Sequence, residues 1–256
     1  MTGAAYLASQ SAMLCGSGLV TLAVPDCVND ILEAKTTESM TMPLKSVNGH
    51  ISYEATNEIL EKAKKSDAIL VGPGLGTSDD AKKTVEELVL KSTIPLILDA
   101  DAINCVAKNI NILNKSKCDI ILTPHTVEFS RLTGLSVEEI EKNRIGTSLE
   151  FAKKYGVTLI LKGPRTIVTS PDGMQYINIT GNPGLSTGGS GDVLSGIVAS
   201  FVARGINSST ACAMAVYLHG ICGDIASSVL GEESVIATEL LNCIPKAYNQ
   251  ILQLEK

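Results

Sequence analysis

The chain has 256 residues, 45% hydrophobic and 19% charged, and a net charge of −6. That balance supports a large core and excludes an intrinsically disordered chain. It offers no basic field for nucleic acid or an anionic membrane surface, so a phosphate-bearing ligand has to be met by local donors.

Met1-Thr2-Gly3-Ala4-Ala5 reads as a turn entering a helix. A doubly wound domain would normally place a strand ahead of such a turn, so the expectation is that a first strand is missing or that the start was assigned too late. The segment has neither the charged flank nor the cleavage site of a signal peptide. Leu19–Val24, Ala68–Val71, Leu96–Asp99, Ile120–Thr123 and Val157–Lys162 are short Val/Ile/Leu-rich runs that predict buried strands. Asp79–Lys91 and Val137–Tyr155 carry helical spacing with charged outer faces between them. Strands separated by such helices predict βαβ crossovers and a mainly parallel sheet. Thr166–Thr169 and Met174–Ile179, joined through Ser170-Pro171-Asp172-Gly173, predict an antiparallel hairpin added to it. Asp192–Ala203, Thr210–Leu230 and Ala237–Leu254 predict three packed helices. Uninterrupted apolar runs such as Ile94-Pro95-Leu96-Ile97-Leu98 fall far short of a membrane span. Seven scattered cysteines without a C-x-x-C pair read as reduced thiols in a cytoplasmic protein.

In parallel α/β sheets ligands collect at the carboxyl ends of the strands. Val71-Gly72-Pro73-Gly74-Leu75-Gly76 follows one strand and precedes a helix, which suits close approach of an anion, and a tight loop explains it equally well. Leu98-Asp99-Ala100-Asp101-Ala102 ends another; its acids either contact a ligand or cap the next helix. In Thr123-Pro124-His125-Thr126-Val127-Glu128-Phe129 a neutral His125 at a helix start is a candidate hydrogen-bonding group. Glu128 is a candidate ligand for a hydrated cation, with helix capping as the alternative for both residues. Lys162-Gly163-Pro164-Arg165-Thr166 brings two cations into one loop, fit for phosphate or simply solvated.

The strongest segment is Asn182–Gly196. Gly188-Gly189-Ser190-Gly191 opens a helix whose first turn carries Asp192. Consecutive free N–H groups at a helix N-terminus form an anion hole. An acid there opposes the same phosphate, so it makes sense as a base for a hydroxyl attacking phosphorus.

Together these segments resemble the ADP- or ATP-dependent NAD(P)H-hydrate dehydratases of the ribokinase-like superfamily. The likeness runs from Thr2-Gly3-Ala4-Ala5 through the Gly72–Gly76, Leu98–Ala102, Thr123–Phe129 and Leu161–Gly163 motifs to Asn182–Gly196, in that order. It implies a single three-layer αβα sandwich with a mainly parallel sheet, an antiparallel hairpin and no epimerase domain. It implies that amides near Ala4 and Gly74 or Gly76, with His125 and Asp192, hold hydrated NAD(P)H. Lys162, Gly163, Pro164, Arg165, Thr166, Gly189, Ser190 and Gly191 would hold the adenine nucleotide, and Mg²⁺ would bridge its oxygens. Where the family reads Pro-Gly-Glu after Thr-Pro-His, this chain has Thr126-Val127-Glu128. The implied reaction phosphorylates the ring hydroxyl so that it can leave, with Asp192 as base, and yields AMP when ADP is the donor. A homo-oligomer, possible as a tetramer, is also implied. The alternatives are a kinase for a small thiazole or pyrimidine alcohol, and a nucleotide-binding module without turnover.

Overall fold

The computed structural model describes residues 1–253. Helix α1 (Thr2–Leu14) leads to strand β1 (Thr21–Pro25), helix α2 (Asn29–Lys35) and strand β2 (Met40–Leu44). A small hairpin, β3 (Ser46–Val47) and β4 (His50–Ile51), precedes α3 (Thr56–Ala63). Then come β5 (Ile69–Val71), α4 (Asp79–Lys91), β6 (Leu96–Leu98), α5 (Asp101–Ala107), β7 (Ile120–Leu122), α6 (Thr126–Thr133), α7 (Val137–Lys142), α8 (Arg144–Tyr155) and β8 (Thr158–Leu161). The chain continues through β9 (Ile167–Thr169), β10 (Gln175–Ile177), α9 (Ser190–Ala203), α10 (Ser208–Leu230) and α11 (Ala237–Gln253). The predicted Leu254 end of α11 lies outside the described residues.

The main sheet has the order β10-β9-β8-β7-β6-β5. Strands β5 to β8 run parallel, and β9 and β10 add the expected antiparallel hairpin. β1 and β2 pair in parallel as a separate ribbon. Side chains alternate across the main sheet. Ile97, Ile121, Ile160 and Val168 pack against Val193, Phe201 and Leu218 of α9 and α10. Leu96, Leu98, Ile120, Leu122, Leu159 and Leu161 face the other way, onto Val85, Leu88, Phe129 and Phe151. Two cores on one sheet give the αβα layering. The six-stranded sheet and its helices agree with the predicted ribokinase-like class.

Val137–Tyr155 is two helices rather than one. Asn143 (φ −144°, ψ 52°) closes α7, and its Oδ1 accepts the Gly146 N–H at the start of α8. A side chain that competes this well for backbone donors breaks a helix that apolar periodicity alone would continue. Helix α10 is long and apolar enough to cross a membrane by length and composition, yet half of that stretch is buried inside the domain. Its apolar face, including Leu218, Ile221 and Cys222, belongs to the core.

Helix α1 lies tightly on α9. A Cβ on Gly196 would stand 2.1 Å from the Ala8 carbonyl oxygen and 2.0 Å from Ser11 Oγ. In a helix interior Gly→Ala gains up to ~1 kcal/mol of propensity. Forcing two packed helices apart costs ~1–3 kcal/mol and exceeds that gain against rigid backbone. Gly196→Ala is therefore expected to lower the denaturation midpoint in urea with an unchanged slope.

Candidate functional site

The carboxyl ends of β5, β6, β7 and β8 and the N-terminus of α9 carry the singled-out residues. Gly189, left-handed at φ 91°, is the N-cap of α9 and supplies no side-chain cap. The Ser190 N–H reaches Thr187 O at 3.3 Å. The N–H groups of Gly191 and Asp192, in the first turn, have no acceptor within the helix. Such unpaired N–H groups at a helix start are the kind that can meet an anion. The first turn of α1 is similar: Met1 gives no side-chain cap, and Ala4 is buried there.

Across from the α9 terminus lies a group of charges joined through the sheet. Lys162 Nζ is 3.1 Å from Asp99 Oδ1 and 3.9 Å from Glu128 Oε2. A Cβ on Gly191 would come within 3.3 Å of the same nitrogen, so this ammonium borders the first turn of α9. Thr123 Oγ1 donates to Asp99 Oδ1 at 2.6 Å. Asp99 is therefore not a helix cap. The chain reverses at Ala100 (φ 48°, ψ −116°), a conformation costly for a residue with a Cβ, and sends Asp99 and Asp101 to different partners. Asp101 Oδ2 accepts the Gly76 N–H at 2.8 Å, so that amide is already paired. The Gly74 carbonyl accepts from the Met1 amino group at 2.9 Å.

His125 caps α6. Its Nδ1 accepts the Val127 and Glu128 N–H groups at 3.1 and 3.3 Å, while Glu128 Oε2 accepts the His125 N–H at 2.9 Å. This capping box needs an unprotonated Nδ1. Burial holds the imidazole below its usual pKa against the opposing pull of Glu128, and Lys162 reinforces the lowering. The neutral ring expected from the sequence is present, with burial as its main cause. Glu128 is thus both capping group and partner of Lys162.

Burial alone would pull the Lys162 ammonium down; the carboxylates of Asp99, Glu128 and Asp192 outweigh it and raise its pKa. Burial raises Asp192 to about 6, Asp99 pushes in the same direction and Lys162 opposes both.

The Lys162–Thr166 loop divides in two. Lys162 turns inward to the charge cluster, whereas Arg165 (φ 54°) is exposed. Arg144 braces the loop by donating to the Leu161 and Lys162 carbonyls at 3.1 and 3.3 Å. Beside it opens a cavity of about 350 Å³ walled by Arg144, Ile145, Pro164, Arg165, Ile167 and Ile177. The sequence pattern did not single out Arg144, whose helix position looks like any solvated charge, and it left Asp99 between ligand contact and helix cap without pointing to Lys162 as its partner.

A sequence profile described as NAD(P)H-hydrate dehydratase matches residues 1–246. The chain is 40% identical over 246 residues to the bifunctional NAD(P)H-hydrate repair enzyme of Moorella thermoacetica, covering 96% of this chain and 46% of that protein. It thus spans about half the length of the bifunctional relatives it matches. It is 35% identical over 245 residues to the ADP-dependent (S)-NAD(P)H-hydrate dehydratase of Neisseria meningitidis, covering 94% of this chain and 77% of that one. The crystal structure of the ADP/ATP-dependent NAD(P)H-hydrate dehydratase of Bacillus subtilis, co-crystallised with ATP and Mg²⁺, superposes with a TM-score of 0.81 at 30% identity. That match covers 98% of this chain and 85% of the other.

Proposed function

The chain belongs to the NAD(P)H-hydrate dehydratase family, and from that premise we propose that it repairs hydrated NAD(P)H at the expense of an adenine nucleotide, preferably ADP. The observation that carries the reading is Asp192, raised to about 6 in the first turn of α9, where uncapped amides and the Lys162 ammonium surround a place for phosphate.

Asp192 takes the proton from the hydroxyl that water has added to the nicotinamide ring. The hydroxyl oxygen attacks the terminal phosphorus of ADP, and the bond to the AMP oxygen breaks. The amides of Gly191 and Asp192 and the Lys162 ammonium stabilise the charge on the transferred group. The ring nitrogen lone pair then expels phosphate, and the neighbouring carbon loses the proton that restores the double bond. NAD(P)H, AMP and phosphate are the products. The cavity beside Pro164 and Arg165, with aliphatic walls and two guanidinium groups, suits the adenosine end of the nucleotide. Ala4, Gly74 and His125 are the residues proposed for the hydrated dinucleotide: the Met1 amino group ties the start of α1 to the Gly74 carbonyl, and His125 lies beside Lys162. Gly76 contributes to the loop's shape, its amide being held by Asp101.

Mg²⁺ takes one or two carboxylates together with substrate phosphates and keeps several waters. Glu128, with Oε2 already accepting the His125 amide, would reach such an ion only through water. The donor set fits an ion carried on the nucleotide, where it neutralises phosphoryl charge. All seven cysteines are free, as expected for the cytoplasmic setting we assign to the reaction.

Prepared hydrated NADPH, incubated with Mg²⁺ and either ADP, ATP or no nucleotide, is expected to regain the absorbance of reduced nicotinamide only when a nucleotide is present. One phosphate should appear per NADPH. A phosphorylated product released intact would instead identify an alcohol kinase, and nucleotide binding without either product would identify a module without turnover.

A further inference from the structure

Helix α10 carries two polar side chains on the stretch His219-Gly220-Ile221-Cys222-Gly223-Asp224, and both are spent on the loop that ends in the anion hole. His219 is 8% exposed, and its Nε2 lies 3.0 Å from the Ser190 carbonyl oxygen and 3.1 Å from Ser190 Oγ. Ser190 itself is 5% exposed and is the first residue of α9. A carbonyl only accepts, so Nε2 must carry the hydrogen and Nδ1 is bare in the neutral ring. Burial pushes this imidazole down to about 4, so it stays neutral where the protein works.

The other end of the loop is held from the same helix. Asp224 Oδ2 accepts the Gly181 N–H and Oδ1 accepts Asn182 Nδ2, both at 2.9 Å. Ser227 Oγ donates to Asn182 Oδ1 at 2.7 Å, and that oxygen also accepts the Gly184 N–H at 3.0 Å. Between the anchors the chain lies directly on α10, since a Cβ on Gly223 would stand 2.7 Å from Leu185 Cγ. A loop rich in glycine has much conformational freedom to lose. Two polar anchors on one rigid helix fix it without placing a side chain in the phosphate path.

We propose that His219 is a positioning residue for phosphoryl transfer: through its Nε2–H bond to Ser190 it sets the direction of the Gly191 and Asp192 amides and of the Asp192 carboxylate, with Asp224 anchoring the far end of the loop. This rests on the assignment of the α9 terminus as the phosphoryl site. Displacing such groups by about an ångström costs ~10²-fold in rate.

The test compares His219→Gln, His219→Asn, His219→Ala and Asp224→Ala with the parent protein. A Gln side chain can bring an amide N–H to where Nε2–H lies, whereas Asn is too short. The Asn and Ala variants are expected to lose ~10–10²-fold in kcat while KM for hydrated NADPH moves little, and Gln is expected to recover most of the loss. Asp224 is exposed, so its variant should fold and lose kcat in the same direction. Amide hydrogen exchange over residues 188–192, with and without ADP, is read alongside; His219→Ala should speed exchange there and ADP should protect it less. Parental kcat in a folded His219→Ala protein, or Gln behaving no better than Asn, would overturn the proposal. A parent that fails to dehydrate the substrate would defeat the functional assignment alone, and unchanged exchange at residues 188–192 would then defeat the positioning role separately.

Discussion

Asp192→Asn is expected to lower kcat for hydrated NADPH by ~10²–10⁴-fold, the usual cost of losing a general base, while ADP affinity stays within a few-fold of the parent. Asn keeps the size of the side chain and leaves the backbone amides of the first turn in place. It removes only a charge that opposes the phosphate, so nucleotide affinity has no reason to fall. The pH dependence gives a second check. The base must be ionised, so kcat/KM of the parent should rise with pH through about 6 and level off above it. Stability runs the other way. A carboxyl whose folded pKa is raised binds its proton more tightly in the native state, so the domain loses stability as pH rises from the ordinary aspartate value of 3.8 to about 6. The Asn variant has no such loss and should melt above the parent at pH 7 but not at pH 4. A variant retaining more than about a tenth of the activity would remove Asp192 from the role of base.

What could be read from the sequence follows from how local each signal is. Of the four parallel strands of the main sheet, β6, β7 and β8 are buried on both faces and the edge strand β5 is half-buried. All four stand out as apolar runs, and their observed ends differ from the expected ones by a residue or so. Asp79–Lys91 was legible to the residue, because Ser78 caps it and its charged face is regular. Leu19–Val24, expected as a buried strand, is instead the largely half-exposed β1 of a separate ribbon, starting only at Thr21. Residues 26–63 gave no pattern: β2 is half-exposed, and Pro43 inside Met40–Leu44 argues against a strand. The Gly188–Asp192 segment stood out as a candidate anion site because three glycines before an acid have few other uses. The pair Asp99–Lys162 was not, since it joins residues 63 apart at the ends of β6 and β8, two strands with β7 between them, and an Asp at a strand end reads equally well as a cap. His219 was hidden for a related reason. A single histidine within an apolar helix has no local signature, and only the packing of α10 under the loop reveals its partner.

Lys162→Met is expected to destabilise the domain by ~3–5 kcal/mol at pH 7, the cost of leaving buried carboxylates without their cation. Only 2% of the Asp99 side chain and 7% of that of Glu128 are accessible, and Lys162 is the cation that lies against both. Met preserves the stem, so the loss is of charge rather than volume. The Lys162 pKa is raised by its partners, so its contribution is complete below the ordinary lysine value and fades only as pH rises beyond that. Across the neutral range the parent should therefore show little change from this group. Adding Asp99→Asn to the Met variant should recover part of the lost stability, because the amide still accepts from Thr123 without a charge to bury. The acid limb of kcat/KM should also move upward, since Lys162 is the group that holds Asp192 down. Arg165 is the contrast. It is exposed, and its replacement by Ala should weaken ADP binding while leaving stability within ~0.5 kcal/mol. A Lys162→Met protein that melts with the parent at pH 7 would mean that the carboxylates of Asp99 and Glu128 are held by their hydrogen bonds to Thr123 and His125 and that the ammonium adds nothing to the fold.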